Sequence, residues 1–129
     1  MASKTQIIHT YRHMYRNLLR AVQHTSPARW VARDQIRAAF REPGAVFDEK
    51  ATKRTMWFLE AAAKETGMEH RILKNLIKVS QFRYVRRKYT RWDPLTKTHF
   101  DMKGDAQTAY HHYDMTVAML NKTMGLCLR

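Results

Sequence analysis

The apolar residues near the start of the chain follow a helical repeat, and this pattern constrains the fold more than any other feature. Between Lys4 and about His24 they recur at spacings of three and four, which places them in one stripe of an amphipathic helix. The members of the stripe are Ile7, Ile8, Tyr11, Met14, Tyr15, Leu18, Leu19 and Val22. Because such a stripe needs other elements to cover it, the chain is expected to pack further structure around one core.

A second helix is expected to follow directly. Ser26 is a suitable N-cap and Pro27 is favoured at the first helical position, so this helix should start there and run to about Arg41. Its buried face is expected to consist of Trp30, Val31, Ile36, Ala39 and Phe40. The dipeptide Pro43-Gly44 then interrupts the helical pattern.

Two more helices are expected in the middle of the chain. Asp48 is a plausible N-cap for the third, and Gly67 is expected to end that helix in the left-handed conformation. The fourth is expected from about Met68 to Tyr89. The apolar residues of the third helix are Met56, Phe58, Leu59, Ala62 and Ala63, and those of the fourth are Ile72, Leu73, Leu76, Val79 and Phe82.

The last part of the chain combines a loop with a shorter helix. Residues 92–104 have the composition of a loop, and a terminal helix is expected from Ala106 to about Met124. Only 4 Gly and 3 Pro occur in 129 residues, which disfavours a turn-rich β sandwich. The sequence therefore predicts an all-α fold, with an antiparallel three-helix core and additional C-terminal helical elements. Residues 1–92 are expected to form the helical domain, and residues 93–129 a loop and helical extension of the same globular unit.

The chain carries a large excess of positive charge. Its 24 Lys and Arg residues exceed its 11 Asp and Glu residues by 13, so the formal net charge is +13 at pH 7. Such a field attracts RNA, an anionic membrane or a strongly acidic protein, and charge alone does not choose among them. No acidic residue precedes Asp34, a distribution typical of mitochondrial targeting segments, so the matrix is the expected compartment. The same residues form the first helix, and we therefore expect them to be kept after import.

Catalytic, metal-binding and membrane-spanning patterns are not found. A single cysteine, Cys127, excludes an internal disulfide, and no apolar run of about 18 residues predicts a transmembrane helix. The adjacent residues His111 and His112 point about 100° apart on a helix, and no Cys or His pair has a metal-ligand spacing. There is no phosphate-binding glycine loop, nucleophile elbow or convincing carboxylate pair. We therefore expect no metal, no cofactor of its own and no enzymatic activity.

Two segments in the first third of the chain resemble the LYR-motif family. Residues 10–20 resemble its opening helix, because Tyr11-Arg12 is followed by a second aromatic residue and another arginine at Tyr15-Arg16. Thr10 stands where the family has leucine. Residues 33–42 resemble the second-helix signature, which has an Arg-Asp start, a repeated arginine and a phenylalanine followed by polar residues. Residues 67–70 and 72–76 are similar to a fungal branch of the family whose function is unassigned.

The resemblance implies both a fold and a function. LYR-like proteins are mitochondrial helical adaptors that hold the acyl chain of an acyl carrier protein between their helices. The chain arrives on the 4'-phosphopantetheine arm of the carrier, and the adaptor performs no chemistry itself. Family members assist the assembly of respiratory complexes, the iron–sulfur machinery or the mitochondrial ribosome. Residues 1–92 correspond to the LYR-like domain in this comparison.

Two groups of residues are candidates for the binding that the resemblance implies. Arginines four residues apart share one helix face, and their guanidinium groups suit the carboxylates of an acidic carrier. The candidate carrier-binding residues are Arg12, Arg16 and Arg20 on the first helix, with Arg37 and Arg41 on the second. The candidate acyl-chain slot consists of Tyr11, Tyr15, Leu18, Phe40, Met56 and Phe58. A solvated arginine face and an ordinary apolar core are the alternatives for these two groups.

A second basic segment lies at the end of the fourth helix. Arginines and lysine alternate there with aromatic residues, as on many RNA-binding surfaces, and the alternative is a cationic helix end that complements the helix dipole. The candidate residues for docking on RNA or on an assembly are Arg83, Arg86, Arg87, Lys88 and Arg91. We therefore expect an adaptor that docks an acyl carrier protein on the mitochondrial ribosome or its assembly. Two alternatives stay open. One is an assembly factor or accessory subunit of a respiratory complex or of the iron–sulfur machinery, and the other is an RNA-binding ribosomal protein without an acyl carrier partner.

Overall fold

All regular structure in the described part of the chain is helical. The computed structural model describes residues 2–89, 108 and 110–128. Its helices are α1 (Lys4–Ala21), α2 (Ala28–Arg41), α3 (Glu49–Lys64), α4 (Met68–Tyr89) and α5 (His111–Met124). The all-α prediction is thus confirmed, while the predicted boundary between residues 92 and 93 lies outside the described residues. None of the described helices combines the length and apolarity that crossing a membrane requires.

Helices α1 to α4 pack as a ring around one core. Helix α1 contacts α2 and α3, and α4 contacts the same two helices from the other side. The pairs α1–α2 and α3–α4 are joined by the short connections 22–27 and 65–67, as in antiparallel helix hairpins. The core includes Met14, Leu18, Ala21, Ala32, Ile36, Phe58, Leu59, Ala62, Leu73 and Ile77. This ring arrangement makes room for a cavity along its axis.

The ends of α2 and α3 show how the helices begin and stop. Asp48 caps α3 as predicted, because its side chain accepts hydrogen bonds from the backbone N–H groups of Lys50 at 2.9 Å and Ala51 at 3.3 Å. The predicted cap at Ser26 is wrong. Helix α2 begins after Pro27 without a side-chain cap. Its first N–H groups instead donate to the carbonyl groups of residues 25 and 27, so no serine hydroxyl is required.

Two other local predictions are also wrong. Helix α3 ends at Lys64, and Glu65 turns the chain with extended backbone angles, so Gly67 adopts no left-handed conformation. Trp30, predicted to be buried, is 46% exposed on the outer side of α2. The guanidinium carbons of Arg29 and Arg33 lie 4.6 and 4.8 Å from the centre of its ring. This cation–π contact makes the exposed position favourable for the indole.

The fourth and fifth helices expose more apolar surface than expected. Phe82, predicted on the apolar side of α4, is 61% exposed. Helix α5 has no fully buried residue, although Val117 and Leu120 pack against the core. Gly125 then adopts a left-handed conformation and ends the helix. The residues after it, here called the C-terminal tail (residues 126–128), fold back onto the bundle.

Candidate ligand cavity and cationic groove

A cavity of about 280 Å³ lies between the four helices of the ring. Its volume is close to the lower end of the range for small-molecule pockets, roughly 300–1,000 Å³. Helices α1 to α4 all contribute to its wall. The apolar residues of the wall include Met14, Leu18, Ala32, Ile36, Phe40, Leu59, Leu73, Leu76 and Ile77. We call this space the axial cavity.

The two buried hydroxyl groups of the cavity wall already have hydrogen-bond partners. Thr52 and Thr55 are buried hydroxyl residues of α3, and both border the cavity. The hydroxyl of Thr52 donates to the carbonyl of Asp48 at 2.6 Å, and that of Thr55 donates to the carbonyl of Ala51 at 2.8 Å. Because both hydroxyl groups are already bonded to backbone carbonyl groups, neither requires a polar ligand. The axial cavity is therefore suited to an apolar chain.

Two segments outside the helices complete the cavity wall. One is the α2–α3 loop (residues 42–48), of which residues 45–48 border the cavity. Val46 in this loop is 92% exposed, whereas Phe47 is half-buried. The other is the C-terminal tail, whose residues Cys127 and Leu128 border the same space. The axial cavity thus has two borders that are not helical.

A groove on the outside of α1 and α2 adjoins the axial cavity. Its apolar floor consists of Ile7, Ile8, Tyr11 and Phe40, and Arg37 and Arg41 stand at its edge. Ile7 and Phe40 belong to the wall of the axial cavity as well. These two side chains therefore separate a surface groove with cationic neighbours from an apolar interior. We call this surface the cationic groove.

An aromatic row runs along the α1–α2 interface. The rings of Tyr15 and Tyr11 are stacked with centres 6.0 Å apart, and Tyr11 meets the edge of Phe40 at 5.3 Å. Such contacts contribute about 0.5–1.5 kcal/mol each beyond their burial. The row fixes the position of Phe40 between groove and cavity.

The predicted slot residues occupy several different places. Leu18 and Phe40 line the axial cavity, and Tyr11 lines the cationic groove. Phe58 is buried in the core, and it borders neither space. Met56 packs at the α1–α3 interface, where its sulfur lies 3.2 Å from the Nδ1 atom of His13. Tyr15 reaches the groove only through its stacking on Tyr11.

The predicted carrier-binding arginines form two exposed groups. Arg12, Arg16 and Arg20 lie on the side of α1 opposite its buried residues. None of these three forms an ion pair with an acidic residue in the part of the chain that the structure describes. Arg37 and Arg41 are exposed beside the cationic groove. Both groups present positive charge that is free to meet an anionic partner.

The basic end of α4 is described at Arg83 alone. Its guanidinium donates to Asp114 at 2.6 Å and lies 4.5 Å from the ring centre of Tyr110. These two contacts link α5 to α4. The side chains of Arg86, Arg87 and Lys88, and Arg91 as a whole, lie outside the described residues. Their assignment to RNA or assembly docking stays a prediction.

Sequence reasoning missed the two non-helical borders of the cavity. The segment Ala45-Val46-Phe47 is apolar although it follows Pro43-Gly44, and this was the available signal for the α2–α3 loop. For the tail, the signal was the alternation of Leu126 and Leu128 directly after Gly125. Neither pattern is long enough to predict which helices the segment packs against. The positions of both segments are therefore known only from the folded chain.

Comparison with known proteins relates part of this chain to a mitochondrial protein. The chain is 41% identical over 56 residues to the UPF0593 mitochondrial protein C806.05 of Schizosaccharomyces pombe (strain 972 / ATCC 24843). The aligned segment covers 43% of this chain and 45% of the relative, which is less than half of either protein. No protein-family model matches the chain. No solved structure matches it either.

Proposed function

We propose that this chain is a mitochondrial LYR-like adaptor that binds an acylated acyl carrier protein and docks it on a larger assembly. The relative named above is a mitochondrial protein, and the early arginines favour the matrix. In this proposal the chain performs no catalysis and holds no cofactor of its own. The acyl-4'-phosphopantetheine group belongs to the partner. The mitochondrial ribosome or its assembly is the favoured destination, ahead of a respiratory complex or the iron–sulfur machinery.

The axial cavity is the observation that carries the proposal. An acyl chain is apolar, flexible and narrow, and the cavity is a largely apolar space lined by residues of four helices. Each methylene group that leaves water contributes roughly 0.8 kcal/mol to binding. Several methylenes in this cavity therefore supply enough free energy to hold a carrier protein by its cargo.

The positive charge beside the groove supports the choice of carrier. An acyl carrier protein presents carboxylates and the phosphate of its prosthetic arm, and arginine binds both kinds of oxygen in a bidentate geometry. Arg37 and Arg41 stand where an arm would pass from solvent toward Ile7 and Phe40. Movement of the Phe40 ring away from Tyr11 would join the cationic groove to the axial cavity. The acyl chain would enter the bundle by this route.

Coexpression with a mitochondrial acyl carrier protein tests the proposal. The two proteins are expected to copurify, and the intact mass of the carrier should include an acyl-phosphopantetheine group. A carrier whose modified serine is replaced by alanine should not copurify. Copurification of this unmodified carrier at an equal yield would contradict a role for the acyl chain.

Charge reversal tests the arginine assignment separately. The double variant Arg12→Glu and Arg16→Glu, and likewise Arg37→Glu with Arg41→Glu, should abolish copurification because each places negative charge before an acidic partner. The matched control is Arg71→Glu with Lys74→Glu, which reverses two exposed charges on α4. Equal loss in the control and in the test variants would assign the effect to net charge rather than to these two surfaces.

RNA binding is the rival that the net charge of +13 permits. Salt dependence separates the two functions. The association constant for RNA falls steeply and about linearly in the logarithm of salt concentration, because counterions are released. The complex with the carrier should weaken much less as salt rises, since salt screens its arginine contacts but does not screen the burial of the acyl chain. A steep salt slope without any bound carrier would favour the ribosomal RNA-binding function.

A further inference from the structure

The C-terminal tail is inserted in the bundle more deeply than the helix that precedes it. Leu126 and Leu128 are only 7% and 8% exposed, whereas α5 has no fully buried residue. Gly125 makes this possible, because its left-handed conformation reverses the chain at the end of α5. The tail is therefore part of the core.

Polar contacts fix the tail in one position. The side-chain amide of Asn121 donates to the carbonyl of Leu128 at 2.7 Å, and its oxygen accepts the Leu128 N–H at 2.9 Å. The backbone N–H of Cys127 donates to the hydroxyl of Thr55 at 3.0 Å. Together these bonds attach the tail to α5 on one side and to α3 on the other.

Only one of the two buried leucines borders the axial cavity. Leu128 contributes to its wall, and Leu126 packs in the core without reaching that space. The side chain of Leu128 therefore takes volume that a longer ligand would need.

We infer that the C-terminal tail sets the length of acyl chain that the bundle accepts, with Leu128 as the residue that limits it. This inference rests on the proposed function, because it assumes that the ligand of the axial cavity is an acyl chain. Each methylene that still fits raises the affinity roughly fourfold. Once the chain reaches Leu128, further methylenes stay in solvent or displace the tail, and the gain stops.

A chain-length series measures this limit. Carriers loaded with octanoyl, decanoyl, dodecanoyl, tetradecanoyl or hexadecanoyl groups are titrated against the full-length protein. For the native chain, affinity is expected to rise with length and then level off. The Leu128→Ala variant should level off at a chain longer by roughly two methylene groups, since a cavity left by such a truncation collapses only in part.

Leu126→Ala is the matched control. It truncates an equally buried leucine of the same tail, but one that does not border the axial cavity. It should weaken the fold while leaving the preferred chain length unchanged. An identical shift in both variants would overturn the inference, because the effect would then come from loosening the tail. An unchanged limit in Leu128→Ala would overturn it directly.

The single cysteine provides a second measurement that requires no carrier. Cys127 is exposed and borders the axial cavity, and it is the one cysteine of the chain, so a thiol reagent reports on the cavity wall without further mutation. Free fatty acids of increasing length are expected to slow its labelling several-fold, up to the same limit, and Leu128→Ala should extend that limit.

The two experiments separate the inference from the proposed function. Suppose that fatty acids protect Cys127 up to a length that Leu128→Ala extends, and that no carrier binds. This result would overturn the carrier role and support a tail that limits chain length. Carrier binding with a length limit that is the same in the native protein and in Leu128→Ala would support the adaptor function and overturn the inference. Labelling that no fatty acid slows, together with no length dependence in the carrier series, would overturn the inference as well.

Discussion

The α2–α3 loop and the C-terminal tail border the same cavity, but they are held in different ways. Val46 in the loop is 92% exposed, whereas both leucines of the tail are buried. The tail is also bonded by the side chains of Asn121 and Thr55. We therefore expect the border at the α2–α3 loop to yield at little cost, whereas the border at the tail is part of the core. A border that yields suits adjustment to a bound ligand, and a fixed border suits a limit on the length of that ligand.

The largest expected difference between the two borders concerns their apolar side chains. Leu126→Ala should lower the free energy of unfolding by about 2–4 kcal/mol, because it removes buried surface and leaves a cavity. Val46→Ala should change it by less than about 0.5 kcal/mol, since the valine is already in solvent. Urea denaturation followed by circular dichroism measures both values. Similar losses in the two variants would refute the distinction between a fixed and a yielding border.

The next effect concerns the amide that holds the tail. Asn121→Ala should cost about 1–3 kcal/mol, because the N–H and carbonyl groups of Leu128 lose partners in a partly buried place. The neighbouring exposed residue provides the control, and Lys122→Ala should be close to neutral. Chemical denaturation gives the stability, and Cys127 labelling should become faster in Asn121→Ala alone. Unchanged labelling would mean that the amide does not fix the tail.

A smaller effect is expected at the end of the α2–α3 loop. Asp48→Ala should cost about 1 kcal/mol, because the first N–H groups of α3 lose the carboxylate that accepts their hydrogen bonds. Asp48→Asn should retain most of the stability, since asparagine caps helices about equally well. Thermal unfolding measures the two variants. Equal destabilisation by Ala and Asn would assign the effect to the negative charge of Asp48 and not to its cap.

The smallest effect is a loss of stability in alkali, and it concerns the attachment of α5. Burial raises the pKa of Tyr113 above its ordinary value near 10, although the nearby Arg83 opposes this shift. A raised pKa in the folded state means that the neutral ring is favoured there. The resulting stabilisation is complete below about pH 10 and is lost as the pH rises through the raised pKa. The urea midpoint of the native protein should therefore decline as the pH rises above about 10. In the Tyr113→Phe variant, which has no titrating group at this position, the decline should be shallower. Equal declines in the two proteins would contradict this role of Tyr113.

Local sequence patterns predicted the helices correctly, but they predicted only some of the helix ends correctly. The repeat of apolar residues at three and four positions was sufficient for α1, and the Met68–Tyr89 helix was predicted with the ends that it has. Asp48 was also predicted correctly as a cap, because its carboxylate acts within a single turn. The prediction of Ser26 as a cap was wrong because nearby carbonyl groups already accept hydrogen bonds from the first N–H groups of α2. The prediction that Trp30 is buried was wrong because cation–π contacts with two arginines stabilise its ring at an exposed position.

The amino-acid sequence was sufficient to predict the all-α class, the periodic faces of the helices and the position of the positive charge, because these depend on residues close together in the chain. It also supplied the candidate arginines and the residue Phe40 that stands between groove and cavity. The ring of helices around the axial cavity became evident only from the folded chain, as did the C-terminal tail in the cavity wall. Such features arise from contacts between residues far apart in the chain, such as Thr55 and Cys127, and no local pattern encodes which distant surfaces will meet.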